Sequence, residues 1–258
     1  LWEHLRLKHF DGFVVNIGRE VGTGLDAVAH FIERDSTYGT LERFLYGYSE
    51  NAFDIKIPDP EKGLIEIDGM PVTILRSARD PKDINWRQYG VRLVIDCTGA
   101  HKDPTVLSGS GKPSVRGHLA AGAEKVIISA PTKIADKAGK MPDDCGMFIY
   151  GINHLDFDPQ RHHVISAASC TTTGLSHMMK PLLENSETSK ILTASMSTIH
   201  AATNTQSILD SSPTKGAEDL RKNRSIFNNI ILTSTGAAKA LEQVLPEVQQ
   251  FGFMADSV

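Results

Sequence analysis

Short apolar runs alternate with helical spacing along the first two thirds of the chain. Residues 2–8 read as the end of a helix, Phe13-Val14-Val15 as a strand within residues 12–16, and residues 25–33 return to helical spacing. Leu64-Ile65-Glu66-Ile67 and Pro71-Val72-Thr73-Ile74-Leu75 flank Asp68-Gly69, which predicts a hairpin. Residues 92–96 and 125–129 are nearly continuous apolar runs, the pattern of strands buried on both faces. Val164 and Ile165 close a further strand. Leu175, Met178, Met179, Leu182 and Leu183 then fall at the spacing of one helical stripe, with both methionines expected in the core. This alternation predicts an α/β fold with a parallel sheet and crossover helices. Residues 46–62, with two prolines and several acids, and residues 108–113 read as surface loops. No internal repeat is present.

Composition narrows the picture only a little. At 258 residues the chain has enough core for one large domain or two ordinary ones. A net charge of −4 gives no electrostatic case for nucleic acid or an acidic membrane surface as partner. Three cysteines, Cys97, Cys145 and Cys170, form no disulfide or metal-binding spacing and fit a reducing cytosol. No apolar run reaches bilayer length and the first residues lack a signal-peptide core, so the expectation is a soluble, cytoplasmic protein. His162 and His163 would point to opposite faces of a strand, which predicts a solvated pair and no metal site. Asp143-Asp144-Cys145 reads as a polar surface turn.

The chemistry concentrates in three later segments. Ser-Ala-Ala-Ser-Cys-Thr-Thr-Thr, residues 166–173, joins a strand to a helix with Ser169 as N-cap and Cys170 at the junction. Backbone N–H groups and the helix dipole there stabilise negative charge on sulfur, which suits a nucleophile. Residues 197–206 deliver His200, the usual base for such a thiol, into a cluster of hydroxyl and amide side chains. Residues 229–241 contain Thr233-Ser234-Thr235-Gly236, a Ser/Thr/Gly cap that can offer donors to an anion as a helix begins.

In order and separation these segments resemble the Cys loop, the catalytic His strand and the phosphate turn of the glyceraldehyde-3-phosphate dehydrogenase family. The resemblance extends through Arg34-Asp35-Ser36-Thr37-Tyr38-Gly39, Ile67-Asp68-Gly69, Arg79-Asp80-Pro81, Asp96-Cys97-Thr98-Gly99, Ile127-Ile128-Ser129-Ala130-Pro131 and Gly151-Ile152-Asn153-His154, nearly the whole chain. It implies a Rossmann-type dinucleotide-binding domain over residues 1–168, lacking its first strand, and an α+β catalytic domain over residues 169–258, incomplete at its C-terminus. It also implies Cys170 as nucleophile and His200 as base in the phosphorylating oxidation of an aldehyde phosphate, with inorganic phosphate as second substrate. Ser169, Thr171, Arg224, Thr235 and Gly236 would surround the attacking phosphate and Thr203 the substrate phosphate. Glu20, Arg79, Thr98, Gly99, Ser129 and Asn153 would line the cofactor. Glu20 favours NAD because a carboxylate repels a 2′-phosphate, whereas the adjacent Arg19 leaves NADP open. Family members are generally homotetramers.

Several features depart from that pattern. No Gly-x-Gly-x-x-Gly turn opens the chain, and residues 18–24 lack its spacing. The chain therefore resembles an internal piece of a longer subunit, expected to bind dinucleotide poorly, and a non-catalytic remnant or interaction protein is the alternative reading. Thr173, Gly174, Lys222 and Thr205 stand where the family commonly has other residues, and residues 46–62 and 108–113 look enlarged. Erythrose-4-phosphate dehydrogenases share nearly all these motifs, so erythrose 4-phosphate is an alternative substrate.

Overall fold

The structure, a computed structural model, describes residues 1–49, 53–76, 78–136, 139–203, 206–217 and 219–258. The chain forms an α/β fold in two compact units, residues 1–94 with 106–124, and residues 95–105 with 125–258.

In the first unit, helix α1 (Trp2–Leu7) leads into strand β1 (Phe13–Asn16) and helix α2 (Leu25–Glu33). A two-residue ladder, β2 (Arg34–Asp35) with β3 (Gly39–Thr40), precedes α3 (Leu41–Tyr46), whose N-cap Thr40 accepts a hydrogen bond from Arg43 N. Strands β4 (Ile55–Asp59), β5 (Leu64–Ile67) and β6 (Met70–Leu75) complete a sheet of order β1-β6-β5-β4, in which only the β1–β6 pair is parallel. Asp68 (φ 51) and Gly69 (φ 80) both adopt left-handed backbone, as a two-residue turn matched to strand twist requires. The sheet buries Ile65, Ile67, Val72 and Ile74 against Leu5, Leu25, Val28 and Leu41. Each such side chain contributes roughly 1.5–3 kcal/mol by leaving water.

The segment 46–62 is not wholly a loop, as the sequence suggests. Its second part is β4, paired with β5 in register Ile55↔Ile67, and residues 50–52 lie outside the described set. Pro58 is tolerated because β4 is the sheet's last strand, where a missing N–H breaks no ladder on the open side. In the same unit α4 (Arg116–Ala120) packs on the turn at Pro81–Asp83 so closely that a Cβ on Gly117 would lie 2.7 Å from Lys82 N.

A second sheet, of order β7-β8-β10-β9, is built from β7 (Leu93–Asp96), on which the division between the units falls, and from β8 (Lys125–Ile128), β9 (Cys145–Met147) and β10 (Val164–Ser166) of the second unit, with β10 parallel to both β8 and β9. Strands β7 and β8 are not buried on both faces. Val94 and Asp96, and Val126 and Ile128, are buried, whereas Leu93 and Ile95 are exposed, because a continuous apolar run does not reveal how many of its faces are covered. Helix α5 (Cys170–Glu184) and helix α6 (Ala237–Val244) share a core of Leu175, Met179, Leu241 and Val244 with Met147, Ile149 and Ala168. Met178, expected in that core, is 70 % exposed. Strands β11 (Thr193–Thr198) and β12 (Gly252–Ser257) form a separate parallel pair.

Two further expectations change. His162 is 3 % exposed, caged by Phe148 and Phe157, and its Nδ1 accepts from Asp158 N at 2.9 Å. The histidine pair lies in the turn before β10, where strand alternation does not apply. Cys145 starts β9 and is buried, so the preceding acids are a turn but the thiol is not at the surface.

Gly63 provides a test of this packing. Its φ is +72° and an added Cβ would lie 2.4 Å from the Ile74 carbonyl oxygen, across the contact where Ile74 N donates to Gly63 O. Gly63→Ala should lower unfolding stability by on the order of 2 kcal/mol or more, read by urea denaturation.

Candidate active site

The second unit builds the Cys170 junction from a short chain of constraints. Ser166, at the end of β10, donates its hydroxyl to Ala130 O at 2.8 Å and accepts from Ala168 N at 3.1 Å. Ala167 N donates to Ile128 O, so β8 holds the same turn. Ala168 then takes φ 62, left-handed backbone that costs a non-glycine residue roughly 1–2 kcal/mol, with its methyl buried in the core. Ser169 returns to extended geometry and caps α5, its Oγ accepting from Thr172 N at 3.0 Å and lying 2.8 Å from Thr172 Oγ1. Cys170 is thereby the first residue of a 15-residue helix, and it is exposed. Thr171 Oγ1 is 4.0 Å from its sulfur.

His200 follows β11. Its backbone N donates to Val258 O at 2.9 Å, while Val258 N donates to Thr198 O at 3.0 Å. The opposite side of β12 receives Thr233 N on Ser257 O at 2.7 Å, two residues before Thr235. The end of β12 therefore fixes both the histidine segment and the approach to the Thr235-Gly236 turn. Thr235 Oγ1 accepts from Ala237 N at 3.2 Å, and Gly236 is the N-cap of α6. The imidazole is partnered locally: Nε2 lies 2.9 Å from Thr198 Oγ1. Among the described residues no hydrogen bond joins His200 to Cys170, whose sulfur has Thr171 as its polar neighbour.

Of the anion-side residues, Thr203, Arg224 and Gly236 are exposed and Ser169, Thr171 and Thr235 half-buried. Arg224 Nη1 pairs with Asp210 at 2.7 Å, and Ser225 N donates to the other oxygen of that carboxylate at 2.9 Å. The Ser225 N–H and the Arg224 guanidinium hold the Asp210 carboxyl below the usual carboxylate range. A depressed folded pKa means that this pair is fully present above about pH 4 and is lost as pH falls through the lowered value. Thr203 N donates to Gln206 Oε1 at 3.0 Å, and Asn204 and Thr205 lie outside the described residues.

Of the cofactor-side residues, Thr98 donates both N–H and hydroxyl to Asp96 Oδ1, at 2.8 and 2.6 Å, in the turn where Gly99 takes φ 64. Ser129 N donates to Asp96 O and the residue is exposed. Both ends of the Asn153 amide are engaged within its own loop, by Ile149 N and by Met147 O, each at 2.9 Å. In the first unit, Glu20 pairs with Arg76 at 2.8 Å, and Arg79 Nε donates to Gly18 O at 3.2 Å. Sequence reasoning missed Thr198, Asp210 and Arg76. Only Thr198 leaves a trace, since it stands two residues before His200, at the end of β11.

If Ser169 and Thr198 hold the two chemical groups, their removal should have separable effects. Ser169→Ala should cost about 1 kcal/mol of stability through loss of the cap, measured by denaturation. Thr198→Val should leave stability nearly unchanged while altering the pH profile of Cys170 alkylation, because the imidazole loses its resting partner. An unchanged profile would show that the Thr198 contact has no bearing on the thiol.

Comparison with known proteins matches residues 169–255 to the family model described as glyceraldehyde 3-phosphate dehydrogenase, C-terminal domain. Glyceraldehyde-3-phosphate dehydrogenase of Streptomyces coelicolor is 43 % identical over 185 residues, 72 % of this chain and 48 % of that protein. Glyceraldehyde-3-phosphate dehydrogenase 2 of Bacillus subtilis is 36 % identical over 224 residues, 87 % of this chain and 55 % of the relative. The chloroplastic enzyme B of Pisum sativum is 36 % identical over 226 residues, 88 % of this chain and 42 % of its own length. The chain thus spans about half the length of the curated relatives it matches. With the likeness running through both the strand-to-helix cysteine turn and the segments before it, the chain belongs to the glyceraldehyde-3-phosphate dehydrogenase family.

Proposed function

We propose that this chain carries the catalytic machinery of a phosphorylating aldehyde dehydrogenase acting on glyceraldehyde 3-phosphate, with erythrose 4-phosphate as the nearest alternative substrate. The observation that carries the reading is the exposed Cys170 at the capped start of α5, next to Thr171 and held by the Ser166–Ala168 turn. His200 takes the Cys170 thiol proton as the sulfur attacks the aldehyde carbon, returns it to the carbonyl oxygen to complete the thiohemiacetal, and takes it again as the acyl level is reached. For that role the imidazole exchanges its Thr198 partner for the thiol, which an exposed hydrogen bond permits at small cost. NAD, when bound, supplies the hydride acceptor that takes the thiohemiacetal to the acyl level. The Cys170 thioester then yields to inorganic phosphate, with Ser169, Thr171, Thr235, Gly236 and Arg224 as the residues that would position the attacking anion and Thr203 the substrate phosphate.

A dinucleotide fits what the first unit offers. Asn16 and the segment to Glu20 sit at the C-terminal ends of the parallel strands β1 and β6, where α/β sheets bind ligands, and Asn16 Oδ1 is a buried acceptor without a partner. Glu20 and Arg79 in this unit, and Thr98, Gly99, Ser129 and Asn153 in the second, are the cofactor-side assignments. The function divides at Ser169 into a nucleotide-binding part, residues 1–168, and a catalytic part, residues 169–258, a division supported by the start of the family-model match. Cytoplasmic location and homotetrameric assembly are part of the same reading. Among the described residues no helix is long and apolar enough to cross a membrane, and no cluster of three or more metal-ligating side chains forms.

Iodoacetamide with peptide mapping tests the nucleophile directly. Cys145 is buried, so the contest is between the two exposed thiols, and Cys170 should be labelled faster than Cys97. Preferential labelling of Cys97 would remove the assignment. His200→Asn should lower phosphate-dependent oxidation of glyceraldehyde 3-phosphate by on the order of a hundred- to ten-thousand-fold without loss of fold.

A further inference from the structure

Two hydroxyls meet at the start of α5. Ser169 Oγ lies 2.8 Å from Thr172 Oγ1, and the same serine oxygen accepts from Thr172 N at 3.0 Å. The distance between the hydroxyls allows either one to donate. Burial decides which. Thr172 is 0 % exposed, and among the described residues its Oγ1 makes no hydrogen bond except that to Ser169. Were Ser169 the donor, the Thr172 proton would be sealed from water with nothing to accept it, at the full desolvation cost of a buried donor. Thr172 is therefore the donor.

The consequence falls on Ser169. A serine hydroxyl has two acceptor lone pairs and one proton, and the N–H and O–H of Thr172 together fill both lone pairs. The serine proton is then directed away from Thr172. Ser169 is half-buried, and among the described residues its Oγ has no third partner, so that proton is presented to water or to a ligand at the helix start. The exposed Cys170 is the next residue. With the opposite direction Ser169 would present a lone pair there, and a lone pair repels an anion.

We propose that Thr172 is a positioning residue for anion capture beside Cys170: its buried hydroxyl locks the Ser169 hydroxyl with the proton outward, as a ready donor to a phosphate oxygen. The inference rests on the reading above in which Ser169 helps to position the attacking phosphate. A serine hydroxyl without a fixed partner rotates, and the anion must then order it on binding. Thr172 removes that rotation in advance, so the donor is preorganised. Sealed in the interior, Thr172 reaches no ligand itself and acts only through Ser169.

Protection of Cys170 from iodoacetamide by inorganic phosphate, at constant ionic strength, measures the contact without cofactor or aldehyde. The half-protecting concentration is read within each variant, so changes in the thiol's own reactivity cancel from it. Thr172→Val, which keeps the shape and removes the hydroxyl, should raise that concentration by about three- to tenfold. Thr172→Ser restores the hydroxyl and should recover most of the loss. Ser169→Ala should raise it at least as far as Thr172→Val, and the double variant no further than Ser169→Ala alone, because the threonine acts through the serine. Urea denaturation of each variant separates a binding loss from a folding loss. Additive losses in the double variant, or a Thr172→Val chain protected as well as the wild type, would overturn the role of Thr172 and leave the phosphate reading standing. A wild-type chain that phosphate fails to protect would overturn both.

Discussion

Everything about the thiol depends on the way β10 is forced to turn into α5. A strand that ran straight into a helix would leave the first N–H groups of α5 without partners and Cys170 without a fixed place. Ser166 prevents this by bonding forward to Ala168 N and sideways to Ala130 O, and the turn is completed by left-handed backbone at Ala168. That conformation is unfavourable for alanine. It persists because the methyl group is buried with Met147, Leu175 and Leu241, so core packing holds the strained turn in place. The cap at Ser169 then satisfies the Thr172 N–H and leaves the sulfur outward. Core, turn and thiol are one construction.

The same logic explains why the helix starting at Cys170 was legible and its neighbours less so. Ser169, Cys170 and the stripe beginning at Leu175 are local signals, since capping and periodicity are written within a few residues. Strand β1, helix α2 and the turn at Asp68-Gly69 belong to the same class. Strand β4 was hidden because its apolar residues are few and its proline reads as a breaker, although an edge strand tolerates both. Met178 failed for a different reason. It belongs to the apolar stripe, but a stripe wider than its partner leaves one margin exposed, and Met179 took the buried position. His162 was misplaced because the rings that cage it, Phe148 and Phe157, come from segments whose approach no periodicity records.

At the candidate site, the residue types suited to chemistry are legible in the sequence and the residues that hold them in place are not. Cys170, His200 and Arg224 stand out because thiol, imidazole and guanidinium are rare and reactive. Thr198 and Asp210 are ordinary surface types, and only the folded contacts with His200 and Arg224 give them a role. Asn153 shows the reverse. The resemblance places it at the cofactor, yet both ends of its amide hold the loop at Met147 and Ile149, a positioning task that can coexist with a cofactor contact only through a neighbouring group or a rearranged amide.

The energies of these contacts divide the site into parts that stay and parts that exchange. The Ser166 bonds are buried, so breaking one leaves an unsatisfied polar group at a cost of about 1–3 kcal/mol, and the turn is fixed. The Thr198–His200 bond and the Arg224–Asp210 and Arg76–Glu20 pairs face solvent, where water can replace either partner. A substrate or cofactor group can therefore displace them, whereas it could not reshape the Cys170 turn. In the proposed mechanism the rigid element presents the nucleophile, and the exchangeable contacts belong to the groups that would change partner: a base that receives a proton and arginines that receive anions. A structure that holds the imidazole on Thr198 is thus compatible with the proposed mechanism, because releasing that exposed partner costs no more than one solvent-facing hydrogen bond.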